Sequence, residues 1–357
     1  MLGEKKLKRI GNVFDKIISY ENLLNAHLRA RKGKSHYTEV KEVNSNTERY
    51  IANLRFLLAN DLYFINSSDY KREIINDKGK EREILKLSYY PHRIVQWAIM
   101  LQIEDRFLKN MIYDTYASIE NRGLHMGAKR VKRAMLKDPE GTKYCLKIDM
   151  KKYYPSIDNR LLFEIVKTKI KDTRLLELIK NIIFSVGSDK GQPIGSLWSQ
   201  WAGNLYLSCL DHYVKEKLGV KYYFRYCDDI VILGENKERL HKIREATKDY
   251  VERELKLNLK ENYQIFPSRV RGVDFLGYRF FGNYILLRKR VLKNMKKALI
   301  KLRNKEILSY NDNCTINSYK GWLNFCNSYR LKEKYFIPLK DKKYINKDGK
   351  LRRVNIW

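Results

Sequence analysis

The chain has 357 residues and is 44% hydrophobic, enough for one large domain or two to three smaller ones with a real core. Its 73 Lys and Arg against 41 Asp and Glu leave a net charge of +32, which points to a polyanionic partner, nucleic acid above all; 26 Tyr and 13 Phe add faces on which bases stack. Five scattered cysteines with no C-x-x-C fit neither a zinc site nor a disulfide framework, and no stretch reads as a signal peptide or reaches membrane-spanning length, so a cytoplasmic, reducing setting without a membrane partner is expected.

Residues 1–69 read as a helical N-terminal extension. "NVFDKIISYENLLNAHLRARKG" spaces Val13, Ile17, Leu23, Leu24 and Leu28 as one helical face, and "RYIANLRFLLANDL" predicts a second helix. Then "YKREIINDKGKEREILKLSYY" predicts two short strands around the turn "NDKGK", with Lys80, Arg82 and Lys86 on the second. A helix is expected over "HRIVQWAIMLQIED", followed by a glycine-containing loop that enters the basic helix of "RGLHMGAKRVKRAM".

"KYCLKIDMKKYYPSID" is a strand whose apolar residues Cys145, Leu146 and Ile148 lead into Asp149. A helix follows, capped by Asp158 or Asn159. "GQPIGSLWSQWAGNLYLSCLDHYVKEKL" opens as a loop and continues as a long helix with Ser196 or Ser199 as its cap. Next comes a hairpin, "KYYFRYCDD" then "DIVILG", and a helix over about 236–256. "YQIFP" and "GVDFLGYRFFGNYILL" predict short strands with a turn at "GN". From Arg288 a basic amphipathic helix carries Val291, Met295, Ala298, Leu299 and Leu302 on one face, and the tail "DKKYINKDGKLRRVNIW" reads as a hairpin or an arm.

Two adjacent acids are usually a solvated turn. Here Asp228 and Asp229 lie between Tyr223, Phe224, Tyr226 and Cys227 on one side and Ile230 to Leu233 on the other. Burying two like charges costs several kcal/mol unless a cation compensates. If the strand ending in Asp149 is a neighbour, three carboxylates converge, a donor set for hard cations such as Mg²⁺. Two Mg²⁺ ions about 4 Å apart are the standard device for in-line phosphoryl displacement.

The strand with Asp149, "YCDD" in a hairpin and "GQPIGSLWSQ" between them resemble the palm motifs of reverse transcriptases, in order and spacing. "REILKLSYYPHRIVQWAI" and "YASIENRGLHMGAKRV" resemble the finger motifs, "VDFLGY" the primer-side motif, and the helix from Arg288 the thumb. The resemblance implies an α+β right-hand polymerase: fingers over 70–144, palm over 145–287, thumb over 288–335 and a basic tail over 336–357. It implies two Mg²⁺ ions, with Mn²⁺ able to substitute, held by Asp149, Asp228, Asp229 and the Met150 carbonyl. Lys260 falls near the lysine that protonates the leaving pyrophosphate. Tyr154 falls where an aromatic steric gate excludes a 2′-hydroxyl; Lys80 and Arg82 match residues that grip the triphosphate. Ile194, Gly195 and Gln200 would cover the nascent pair. Arg288, Lys289, Arg290, Lys293, Lys296 and Lys297 would follow the duplex. The partners implied are template RNA, primer or cDNA, and dNTPs.

One departure narrows the resemblance. Most of the family read Gln-Gly-x-x-x-Ser-Pro in the covering loop, whereas here Ile194 replaces the Gln and Gln200 the Pro. This pattern, "RGVDFLGYRFF" and "LLRKR" are similar to the diversity-generating retroelement branch. That branch copies a template RNA with frequent errors opposite adenine, works with a small basic accessory protein, and replaces part of a target gene. Two other readings stay open: a bacterial reverse transcriptase of an unassigned or antiphage-defence system, and a non-catalytic RNA-binding protein on the same fold.

Overall fold

A computed structural model describes residues 8–77 and 79–356 of the chain, except for the side chains of Asp77 and Lys80. The chain divides into two compact units. The first takes in the chain up to Ser118, Asp149–Val220 and Glu245–Glu261; the second takes in Ile119–Ile148, Lys221–Arg244 and everything from Asn262 onward.

In the first unit the helices Tyr20–Ala30 and Thr47–Ala59 form a small bundle with the helix Ile94–Lys109. The long first helix expected from the sequence is broken. A short turn, Phe14–Ile17, ends before Ser19, whose side chain accepts from the Asn22 backbone N–H and starts the next helix afresh. Asn22 is itself buried, and its amide donates to the carbonyls of Ile17 (2.9 Å) and Ala98 (3.0 Å), so the break is fixed by tertiary bonds. The strands β1 (Lys71–Asp77) and β2 (Lys80–Lys86) pair as an antiparallel hairpin.

The helix Asn159–Lys167 is capped by Asp158, and Thr173–Phe184 by Asp172. The helix Leu197–His212 is buried on nearly every side, from Trp198 and Trp201 through Leu205, Tyr206 and Leu210. A helix apolar all round belongs at a centre. Two of its polar residues are bonded inside the core: Asn204 donates to the Ala117 carbonyl at 2.7 Å and Asp211 accepts from Thr115 at 3.2 Å.

The second unit is built on a four-stranded sheet in the order β4 (Tyr222–Tyr226), β5 (Asp229–Gly234), β3 (Tyr144–Asp149), β6 (Gln264–Pro267). Ile230, Val231, Ile232 and Leu233 are buried in succession rather than in alternation, so both faces of the sheet are covered. Three short strands, β7 (Val273–Phe275), β8 (Tyr278–Phe280) and β9 (Ile285–Leu287), form an antiparallel meander. The helix Lys289–Arg303 follows, with Met295, Leu299 and Leu302 buried along one stripe.

The segment after it forms two helices. Tyr310–Leu323 stops, and Tyr329–Tyr335 begins after a turn. Asn327 is the reason: its N–H donates to the Ile285 carbonyl and its side-chain oxygen accepts from the Ile285 N–H, both at 2.9 Å, which removes it from a helical path. The tail forms a hairpin, β11 (Lys343–Ile345) with β12 (Leu351–Arg353). Of these, β11 also runs parallel to β10 (Ile307–Leu308). Among the described residues no helix is long and apolar enough to cross a membrane.

Candidate active site

Asp149 is the last residue of β3 and opens a segment of the first unit. The stretch Asn258–Lys260 runs antiparallel beside it. Lys151 donates to the Asn258 carbonyl at 2.8 Å, Met150 bridges Leu259, and the Lys260 N–H donates to the Asp149 carbonyl at 2.9 Å. This places the Lys260 ammonium on Asp149 Oδ2. The other oxygen, Oδ1, is buried and has no hydrogen-bond partner among the described residues. A buried carboxylate oxygen in that condition is an acceptor whose bonding capacity is unmet. The side chain of Met150 is buried.

Lys152 then takes a left-handed φ of +46° and starts the short helical turn Tyr153–Ser156. Tyr153 is buried and donates to the Gly203 carbonyl at 2.6 Å. Tyr154 is half-buried, with its ring against Gly203 of the helix Leu197–His212. A Cβ at position 203 would stand 3.1 Å from Tyr154 Cε1, so the missing side chain sets where the tyrosine can lie.

Ile194 and Gly195 form the loop that leads into that same helix. The Ile194 carbonyl accepts from the Leu85 N–H on β2 at 3.2 Å. Gly195 has a φ of +113°, and a Cβ there would meet Ile84 Cγ2 at 3.1 Å, so only glycine suits this close approach. Ser196 caps the helix, and its hydroxyl and the Trp198 N–H both donate to Gln96 Oε1, at 3.0 and 3.1 Å. The loop is thus clamped between β2 and Gln96, with the Ile194 and Gln200 side chains half-buried. On β2, Arg82 is exposed and pairs in register with Ile75, while Lys80 opens the strand and its side chain lies outside the described part of the structure.

In the second unit β4 and β5 form a tight hairpin in which Tyr226 pairs with Asp229. Cys227 and Asp228 are the two turn residues, and Cys227 has a φ of +58°. Arg225, fully buried in β4, donates through Nη1 to the Cys227 carbonyl at 3.0 Å and so holds the strained turn from behind. Lys147, on the strand next to β5, lies 3.3 Å from Asp229 Oδ1 and 3.4 Å from Oδ2. Among the described residues no three His, Cys, Asp or Glu side chains are grouped as a metal site.

Two residues of this arrangement are not singled out by the sequence reading. Lys147 lies two positions before Asp149, hence on the same face of its strand. Arg225 is a lone charge inside an aromatic strand, "YYFRY". Both are signals of a polar role inside a core. On the helix Lys289–Arg303, Lys289, Arg290, Lys293 and Lys297 are exposed, and the Lys296 ammonium lies 5.8 Å from the Tyr335 ring centroid. Arg288, just before it, is bonded to Asp274.

Residues 71–280 match the family model described as reverse transcriptase (RNA-dependent DNA polymerase), more than half of the chain. The chain belongs to the reverse transcriptase family. The enzyme is therefore an RNA-directed DNA polymerase. It is similar to Retron Ec73 reverse transcriptase from Escherichia coli, 26% identical over 294 residues, which cover 76% of this chain and 88% of the relative. It is also similar to Protein YkfC from Escherichia coli (strain K12), 26% identical over 239 residues, 56% of this chain and 61% of YkfC. Among solved structures, apo telomerase from Candida tropicalis aligns with a TM-score of 0.48 at 12% identity, over 83% of this reverse transcriptase and 64% of the telomerase chain. A C-terminally truncated form of that telomerase aligns at 0.47 and 14% identity, and this chain spans 55% of its length.

Proposed function

We propose that this reverse transcriptase serves a diversity-generating retroelement, copying a template RNA into cDNA with errors concentrated at adenines. The observation that carries the reading is Ile194: an aliphatic side chain, half-buried, on a loop whose main chain is clamped to β2. A Gln at that position can hydrogen-bond the incoming nucleotide or its partner. Ile neither donates nor accepts, so the pair is held by shape, and a polar site's penalty against a wrong partner is lost. The test is to copy a defined RNA and sequence the cDNA. Errors should concentrate at template adenines, and Ile194→Gln should lower them severalfold at adenines while leaving other positions unchanged. An error rate at adenines equal to that at other bases would sink the reading.

The likeness to Retron Ec73 reverse transcriptase over 88% of that protein favours a second reading, a bacterial reverse transcriptase of an unassigned or antiphage-defence system. Neighbouring genes separate the two: a near-repeat pair differing at adenines in one copy, or a defence cassette.

For the chemistry, Asp149, Asp228, Asp229 and the Met150 carbonyl are the proposed ligands of divalent cations, Mg²⁺ or Mn²⁺. Bound there, such ions supply charge neutralisation for nucleotidyl transfer. What supports this set is the chemistry of its donors: hard oxygens, among them the buried and unbonded Oδ1 of Asp149. Lys260 is the proposed proton donor to the departing pyrophosphate, supported by its bond to the other oxygen of Asp149. Lys80 and Arg82 on β2 grip the triphosphate. The proposed division runs fingers 70–144, palm 145–287 and thumb 288–335, with template RNA, primer and dNTPs as partners and a small basic accessory protein beside them.

Tyr154 is the proposed steric gate against a 2′-hydroxyl. Its ring is backed by the helix at Gly203, so it cannot retreat. Tyr154→Ala should raise rNTP incorporation relative to dNTP at least tenfold in single-nucleotide extension. An unchanged rNTP to dNTP ratio would remove the gate from this residue.

A further inference from the structure

The ammonium of Lys147 joins two partners. It straddles both carboxylate oxygens of Asp229, at 3.3 and 3.4 Å, and donates to the main-chain carbonyl of Asp274 at 2.8 Å. The side chain of Asp274, on β7, is held in turn by the guanidinium of Arg288, whose Nε donates to Oδ1 at 2.6 Å and whose Nη2 also pairs with that oxygen. Arg288 is the residue from which the helix Lys289–Arg303 starts, and its N–H donates to the Gly277 carbonyl at 2.9 Å. A continuous line of charge-assisted bonds therefore runs Asp229, Lys147, Asp274, Arg288.

The two bonds of Lys147 join elements far apart in sequence, and the last link ties the meander to the helix that follows it. Lys147 belongs to β3, Asp229 to the hairpin, Asp274 to the meander and Arg288 to the helix root. Lys147 keeps 26% of its side-chain surface and Asp229 32%, so the contact is shielded without being dry. An ammonium with three donors suits a post that serves one carbonyl and one carboxylate at once. An Arg fork, planar and larger, does not reproduce that pattern.

We propose that Lys147 is a positioning residue of the polymerase. It fixes the acid turn to β7, and through Asp274 and Arg288 to the root of the basic helix, so that the carboxylates and the primer-side strand keep one spacing during extension. The inference rests on the reading of Asp228 and Asp229 as the acids of nucleotidyl transfer. It also gives Asp274 of "VDFLGY" and the Arg288 that ends "LLR" a shared role, as the two halves of one bond.

The experiment compares wild type, Lys147→Met, Lys147→Arg, Asp274→Asn and the Lys147→Met/Asp274→Asn double variant on poly(rA)·oligo(dT). The readouts are kcat, primer–template Kd, melting temperature and Mn²⁺ binding to the nucleic-acid-free enzyme, followed by the signal of the free ion. Lys147→Met should lower kcat at least tenfold with Kd within twofold. It should also bind Mn²⁺ more tightly, because a positive charge beside Asp229 has gone. Lys147→Arg should restore Mn²⁺ binding toward wild type and only part of kcat. Asp274→Asn should lower kcat less, and the double variant should be no worse than Lys147→Met, since both cut one line.

Unchanged kcat and Mn²⁺ binding in Lys147→Met, or additive losses in the double variant, would overturn the proposal. So would a kcat loss in Lys147→Met matched by a fall in melting temperature with Mn²⁺ binding unaltered, which is the mark of a structural bond. If Lys147→Met does not fold, Lys147→Arg and Asp274→Asn decide: wild-type kcat in both overturns it. Failure of the polymerase reading looks different, since wild type itself would then fail to extend the primer, or Asp228→Asn would extend it as well as wild type does.

Discussion

Asp149→Asn should abolish nucleotide incorporation, by roughly 10³-fold or more, while leaving the fold intact. Loss of a carboxylate that neutralises charge at a phosphoryl transfer removes several kcal/mol from the transition state, and each 1.36 kcal/mol is a factor of ten. The substitution is isosteric, and the amide oxygen can still accept from Lys260, the present partner of Oδ2. The main-chain bond between Lys260 and Asp149 is untouched. Far-UV circular dichroism should therefore be unchanged, and the melting temperature should move by only a few degrees. The check is single-nucleotide extension with Mg²⁺ and again with Mn²⁺. Incorporation by Asp149→Asn at the wild-type rate would remove this residue from the reaction, whatever the rest of the site does.

Replacing Lys293, Lys296 and Lys297 together by Gln should weaken primer–template binding by about 10- to 100-fold at low salt, without regard to sequence. Each cation that neutralises a phosphate contributes about 0.7–0.9 to the slope of log affinity against log salt, so the slope should flatten by roughly 2 to 3. Gln matches Lys in helix propensity, and the buried stripe of Met295, Leu299 and Leu302 is not altered, so the helix Lys289–Arg303 should persist. Lys293 and Lys297 are exposed one turn apart and should carry most of the effect. Lys296, leaning over Tyr335, should carry less. The measurement is a salt titration of binding by fluorescence anisotropy. A slope equal to that of wild type would place the duplex elsewhere on the protein.

Much of the architecture was legible in local patterns. The strand that ends in Asp149, the hairpin around Asp228, the meander after Gly272 and the amphipathic helix after Arg288 are all written in periodicities of two or 3.6 residues. The caps were narrowed to a pair each, Asp158 or Asn159 and Ser196 or Ser199, and the structure takes Asp158 and Ser196. What escaped is non-local. Ser19 interrupts a periodic stretch because Asn22 is drawn to Ala98, and Asn327 ends a helix because it pairs with Ile285. The helix Thr173–Phe184 has the same spacing as its neighbours and lies in a stretch without a motif to draw attention to it. At the site, the acids stood out by their chemistry and Lys260 by resemblance, but Lys147 did not. Lys147 is an ordinary residue in a chain with 73 basic ones, until the fold shows that it faces Asp229.

The loop at Ile194 is anchored by its carbonyl and by the conformation of Gly195, and the side chain at position 194 takes no part in that anchoring. The main-chain bond from Leu85 to the Ile194 carbonyl is open to any residue at 194, whatever its side chain. On the role proposed for Ile194, copying accuracy is thus separable from foldability: a lineage would exchange one side chain, sharpen or blunt its reading of the template, and keep the same scaffold.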